Sequence, residues 1–109
     1  MADAPKVLGQ SIPAAATLTT LYTVPALTST VMSTIKACNQ SPNATTFRVS
    51  VAVAGAADTA KQYLYYDVPL AGNDSFSATE GWALTTTDVV RVQAENGLVS
   101  FNLFGVEVT

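Results

Sequence analysis

Hydrophobic and polar residues alternate along this chain in short runs, and turn-forming clusters separate the runs. The clearest run is Thr45 to Ala54. Phe47, Val49, Val51 and Val53 alternate there with Thr46, Arg48, Ser50 and Ala52. A period of two means that successive side chains point to opposite faces, so this is a half-buried strand with the Phe/Val face on a core. Thr17 to Val24 reads the same way and ends at Pro25, which cannot donate to a ladder. Thr30 to Asn39 is a long strand with two faces of similar polarity, so both sides can be buried. Lone Cys38 lies in it and reads as a small core residue.

The remaining runs follow the same rhythm. Val7 to Gln10 is a short strand preceded by a loose arm at residues 1–6. Lys61 to Val68 carries Tyr63, Tyr65 and Tyr66; on a regular strand Tyr63 and Tyr65 share one side and Tyr66 takes the other. Ser75 to Glu80 is a modest strand, and Asp88 to Ala94 turns Val90 and Val92 inward. Asn96-Gly97 then gives a strong hairpin signal. In Val99 to Val108, Val99, Phe101 and Leu103 set one phase, while Val106 and Val108 set the other. The switch falls at Phe104-Gly105, where a β-bulge would keep the strand facing the core. About eight strands and no helix predict a single all-β domain over residues 1–109, an antiparallel β-sandwich of jelly-roll or immunoglobulin-like topology.

Composition narrows the function. Only 12% of residues are charged against 49% hydrophobic, about half the usual charged share. A surface covered by Thr, Ser, Asn, Gln and Ala is cheap to desolvate, which suits contact with other proteins. The net charge is −3, and the five cationic residues are scattered, so nucleic acid is not expected as a partner. No run is long and apolar enough for a membrane helix, so no membrane is expected either. An acid at Asp3 in place of a basic n-region predicts no signal peptide and a protein made in cytoplasm.

Reactive chemistry is sparse. The chain has no histidine and one cysteine, which removes the common triads and most zinc sites. Asp67, Asn73 and Asp74 form the one acidic neighbourhood worth weighing for a cation, and a plain polar loop outweighs it. Asp88 and Glu95 could flank a hairpin as a carboxylate pair, but a chain this small can hardly build a glycosidase cleft. Neither catalysis nor a cofactor is expected. Tyr63, Tyr65, Tyr66 and Trp82 are candidates for a sugar-stacking or protein-contact platform, because such rings combine apolar faces with polar tips, although at least one set is expected to face the core.

The order of motifs carries a resemblance. Leu21-Tyr22-Thr23-Val24-Pro25-Ala26 is followed by Val31 to Asn39 and then by Thr45-Thr46-Phe47-Arg48-Val49. Tyr65-Tyr66-Asp67, Gly72-Asn73-Asp74 and Phe104-Gly105-Val106-Glu107 complete it. Together they resemble small virion structural proteins of tailed bacteriophages. The resemblance implies an all-β, oligomeric protein of the virion, assembled in the host cytoplasm. It would serve as a capsid decoration or cement protein, as a homotrimer beside the major capsid protein. A tail, baseplate or fibre part touching a host glycan is the alternative. The expected contact residues are Lys6 and Val7 on the arm, with Tyr63, Tyr65 and Trp82.

Overall fold

A computed structural model describes residues 3–109. Eight strands carry the fold: β1 (Asp3–Ser11), β2 (Thr19–Thr23), β3 (Ser29–Asn39), β4 (Thr45–Ala52), β5 (Tyr63–Leu70), β6 (Ser75–Leu84), β7 (Val89–Ala94) and β8 (Val99–Val108). They form two four-stranded antiparallel sheets, a front sheet in the order β1-β8-β3-β6 and a back sheet in the order β2-β7-β4-β5. Each strand of the first half pairs with its mirror in the second: β1 with β8, β2 with β7, β3 with β6, β4 with β5. A long hairpin rolled up in this way is a jelly roll. An immunoglobulin-like order would put the first two strands side by side in one sheet. Here they lie in opposite sheets.

The core fills the space between the sheets. Phe47, Val49, Val90 and Val92 come from the back sheet, and Met32, Ile35, Phe101 and Leu103 from the front; none is more than 1% exposed. Phe47 reaches across to Phe101 at 6.0 Å and to Phe76 at 5.0 Å between ring centres. The Phe47/Val49 register is thus as the alternation predicts. That alternation ends early, because Val51 is half-buried and Val53 lies 70% exposed in a 3-10 turn.

Three expectations change. First, β8 has no phase switch. Val99, Phe101, Leu103, Gly105 and Glu107 all point inward, and Ser100, Asn102, Phe104, Val106 and Val108 all point outward. The irregularity sits in the neighbours: Leu8 is an extra residue in β1, level with Leu103 and Phe104, and Ser33 is one in β3, level with Phe104 and Gly105. Level with Ser33, β6 inserts Glu80 and Gly81. A line of bulges therefore bends the whole front sheet. It closes onto Gly105, where an added Cβ would lie 2.5 Å from the Val31 carbonyl oxygen and 2.9 Å from Leu8.

Second, residues 3–6 of the expected arm begin β1, with Asp3 opposite Val108 and Lys6 opposite Gly105. Residues 1 and 2 lie outside the described residues. Third, Cys38 is exposed. β3 alternates strictly at this end, so Ala37 and Asn39 take the inner positions.

Candidate functional site

Two surfaces stand out, one on each sheet. The first is the outer face of the front sheet. Because β8 keeps its phase, its last three apolar residues point away from the core. The register sets Pro5, Val106, Val31 and Ala83 side by side across all four strands. The next row is Val7, Phe104, Thr34 and Thr79. Val7 and Val31 are 47% and 48% exposed. Toward the other end the face turns to small polar groups, with Gln10 donating to Asn102 at 2.7 Å and Thr34 hydrogen-bonded to Thr79 at 3.1 Å. Lys36, opposite Asn102, carries a charge within these rows, and Asp3 another at the corner. At about 4.8 Å between strands and 3.3 Å per residue, the apolar block covers roughly 400 Å².

The second surface lies on the outer face of the back sheet, beside β4 and β5. Two bulges in β5 build it. Tyr66 and Asp67 together oppose Arg48, and Leu64 is a further extra residue between the Val49–Tyr65 and Ser50–Tyr63 pairs. Asp67 has φ +52°, a conformation that Asp tolerates better than most residues. The consequence reverses the expected sidedness: Tyr63 and Tyr66 share the outer face, and Tyr65 turns to the core. The Tyr63 and Tyr66 rings meet edge to face, 5.2 Å apart at 89°. The Arg48 guanidinium lies 4.0 Å over the Tyr66 ring, and its Nε and Nη2 donate to Asp67 at 2.7 and 3.3 Å. That pairing pushes the Asp67 carboxyl below its ordinary range.

The connection between β4 and β5, residues 53–62, folds over this face and forms the far wall. Arg91 donates to the Ala56 and Gly55 carbonyls at 2.9 and 3.3 Å. Asp88 accepts from the Ala54 N–H at 3.0 Å, and Gln62 donates to the Ala57 carbonyl at 2.9 Å. Under this cover Ser50 and Ala52 are fully buried although they point outward. A groove of about 520 Å³ remains, lined by Arg48, Asp58, Thr59, Ala60, Tyr63 and Tyr66. Tyr63 donates its hydroxyl to Asp58 at 2.9 Å. Burial, then this bond, raises the Tyr63 phenol above its ordinary pKa, so it stays a donor.

Of the expected contact residues Lys6, Val7, Tyr63, Tyr65 and Trp82, Tyr63 alone enters this groove. Tyr65 and Trp82 pack against the core margin instead. The Tyr65 ring meets Phe76 edge to face at 5.2 Å, and the Tyr65 hydroxyl and the Trp82 Nε1 donate to Glu80 Oε1 at 2.7 and 2.9 Å. These bonds tie β5 of the back sheet to β6 of the front. Burial and the Glu80 bond push the Tyr65 phenol to about 12. Lys6 reaches Glu107 of its own chain at 2.9 Å, while Val7 lies in the apolar rows. Asp88 and Glu95 stand at opposite ends of β7, about 20 Å apart at 3.3 Å per residue. Asp88 serves the backbone there. Asp67 faces Arg48, and Asp74 Oδ1 accepts from the Ser75 N–H at 2.8 Å in the following turn. No group of three or more metal-ligating side chains occurs among the described residues.

Sequence reasoning weighed Tyr66 with the other aromatics but missed Arg48 and Asp58, because only the bulges and the folded-over connection bring the three together. The groove thus joins two edge-to-face rings with an ion pair and a hydrogen-bonded carboxylate. No known family model matches this chain, and no curated protein matches it.

Proposed function

We propose that this protein is a structural component of a bacteriophage virion, a decoration or cement protein that self-associates through the outer face of its front sheet. The observation that carries this reading is the apolar block spanning Pro5, Val7, Val31, Ala83, Phe104, Val106 and Val108. Contiguous apolar patches of a few hundred Å² mark contact sites on soluble proteins. The whole face measures about 600 Å², close to the roughly 800 Å² per partner of a standard interface. A second copy is the occupant that fits. Its one lysine sits outside the apolar rows, and burying the face among neighbouring copies desolvates mostly methyl groups and hydroxyls. The phage resemblance supports the virion assignment, and the jelly roll is a fold that recurs in capsid and lectin domains. Fold alone assigns no function.

The test is sedimentation of the wild type against Val106→Glu. The wild type is expected to be a trimer, and the variant a folded monomer. A carboxylate buried without a partner costs several kcal/mol, which weakens association more than about a hundredfold. A wild type that stays monomeric at high concentration overturns self-association. Quantitative mass spectrometry of purified particles tests the virion half: a high copy number supports decoration of a shell, and absence from particles overturns it.

A second reading is a tail, baseplate or fibre component that touches a host glycan. The groove beside Tyr63 and Tyr66 favours it, and a low copy number per particle would select it.

A further inference from the structure

The groove on the back sheet has a composition that selects one class of ligand. Its volume of about 520 Å³ falls within the roughly 300–1,000 Å³ of small-molecule sites. Its floor is the Tyr63–Tyr66 pair, and Tyr66 is 58% exposed. Its charged lining groups are the Arg48 guanidinium and the Asp58 carboxylate, with the Asp67 carboxylate bound to Arg48 beside them.

Three ligand classes can be set against this arrangement. An anion would meet two carboxylates and a guanidinium whose Nε and Nη2 are already bound to Asp67. A quaternary ammonium would meet the Arg48 cation, which already lies 4.0 Å over the Tyr66 ring and repels a second positive charge. A neutral polyhydroxyl ring suits both halves. Its C–H face stacks on tyrosine, and its hydroxyls pair with charged planar groups, which make the stronger hydrogen bonds. Asp58 offers its second oxygen, since Tyr63 binds Oδ2, and Arg48 offers Nη1. The backbone is fixed beforehand: the β5 bulges hold the rings, and Arg91 and Gln62 hold the far wall. A site held in place in this way loses less freedom on binding.

We infer that this groove binds a neutral saccharide, with one pyranose ring against Tyr66 and Tyr63 and its hydroxyls on Asp58 and Arg48. The inference rests on the second reading above and gives it an address. It keeps Tyr63 among the expected contact residues and sets Tyr66, Asp58 and Arg48 in place of Tyr65 and Trp82.

The experiment is a glycan array of neutral, uronic, sialylated and sulfated oligosaccharides. It is probed with the wild type, Tyr66→Ala, Asp58→Asn and Trp82→Phe, each checked by thermal melting. The strongest array hit is then titrated by calorimetry. The expected result is wild-type binding to neutral glycans. Tyr66→Ala and Asp58→Asn should each weaken it about tenfold or more, and Trp82→Phe should change it less than about twofold. Asp58 is exposed, so its variant keeps the test usable if Tyr66→Ala does not fold. A wild type that binds nothing overturns the inference and the second reading together. Binding that survives both groove variants, that falls equally in Trp82→Phe, or that prefers anionic glycans overturns the groove alone and leaves the second reading standing.

Discussion

The two outer faces of this sandwich solve the same problem in opposite ways. On the back sheet, outward-pointing Ser50 and Ala52 are completely buried, because residues 53–62 fold over them. On the front sheet, outward-pointing Val7 and Val31 remain 47% and 48% exposed. The back face carries its charges in place, with Arg48 on Asp67 and Arg91 on backbone carbonyls. The front face keeps one lysine away from its apolar rows. The protein therefore covers one face with its own chain and leaves the other uncovered. An uncovered apolar face is costly for a free monomer and useful in an assembly.

The comparison first requires that both faces belong to one cooperative unit. Phe47 is the residue that joins them, with its ring against Phe101 and Phe76 of the front sheet. Phe47→Ala should destabilise the fold by about 3–5 kcal/mol, the largest effect expected here, since it leaves a cavity between the sheets. Urea unfolding followed by tryptophan fluorescence and far-UV circular dichroism should show one shifted transition. Two separated transitions would mean that each face can persist without the other.

How far this contrast could be read from sequence depends on the strand. In β4 the alternation placed Phe47 and Val49 correctly, because a half-buried strand repeats every two residues. In β8 the same reasoning failed after Leu103. It assumed that Val106 and Val108 must face a core, yet burial of apolar residues is a one-way rule and apolar side chains also stand on surfaces. Gly105 did mark the right level of the sheet. The extra residues sit in the neighbouring strands, at Leu8 beside Gly9 and at Ser33, where β3 has no glycine to announce it. In β5 the bulges fall at Leu64 and at Tyr66-Asp67, and only the Asp was a weak hint. The site suffered accordingly. Tyr63 was legible as an aromatic in a strand, whereas Arg48, Asp58 and Tyr66 meet only after two register shifts and a chain reversal. Cys38 and Asn39 were ambiguous because both faces of β3 look alike, and the structure buries Asn39 as a hub that donates to the Asn43 and Ala71 carbonyls.

The covered state of the back face depends on Asp88. Its carboxylate accepts from the Ala54 N–H and the Thr85 N–H, both at 3.0 Å, and the residue is 6% exposed. Asp88→Ala leaves both donors without their partner and should cost about 1–3 kcal/mol. Hydrogen exchange over residues 53–62 should accelerate, while the sedimentation of the protein stays as in the wild type, since the front face is untouched. Loss of self-association in this variant would place the interface on the back sheet and reverse the comparison.

The smallest effect is expected where the two sheets meet beside β1. Glu107 Oε1 accepts from Lys6 at 2.9 Å, and Oε2 accepts from Tyr22 of the back sheet at 2.5 Å; Tyr22 also bonds Thr30 at 2.8 Å. The Tyr22 bond, and then Lys6, hold the Glu107 carboxyl below its ordinary value of 4.5. A lowered carboxyl gives stability that is present above its unfolded pKa and is lost as pH falls through the folded one. Tyr22 behaves in the opposite sense. Burial, with Glu107 adding to it, raises its phenol from 10.0 to about 12, so its contribution holds below 10.0 and disappears as pH rises through about 12. Melting temperature against pH should therefore fall on the acid side in the wild type and lose part of that slope in Glu107→Gln. An identical acid slope in the variant would sink the assignment. Lys6→Ala should cost only about 0.2–1 kcal/mol, because the lysine is half-exposed and water screens the pair. It should also leave the association state unchanged, unlike Val106→Glu, because the Lys6 ammonium is held by Glu107 rather than standing among the apolar rows. If Lys6→Ala dissociates the assembly, the contact surface extends around the β1 edge, and the open face is larger than the four-strand rows that define it.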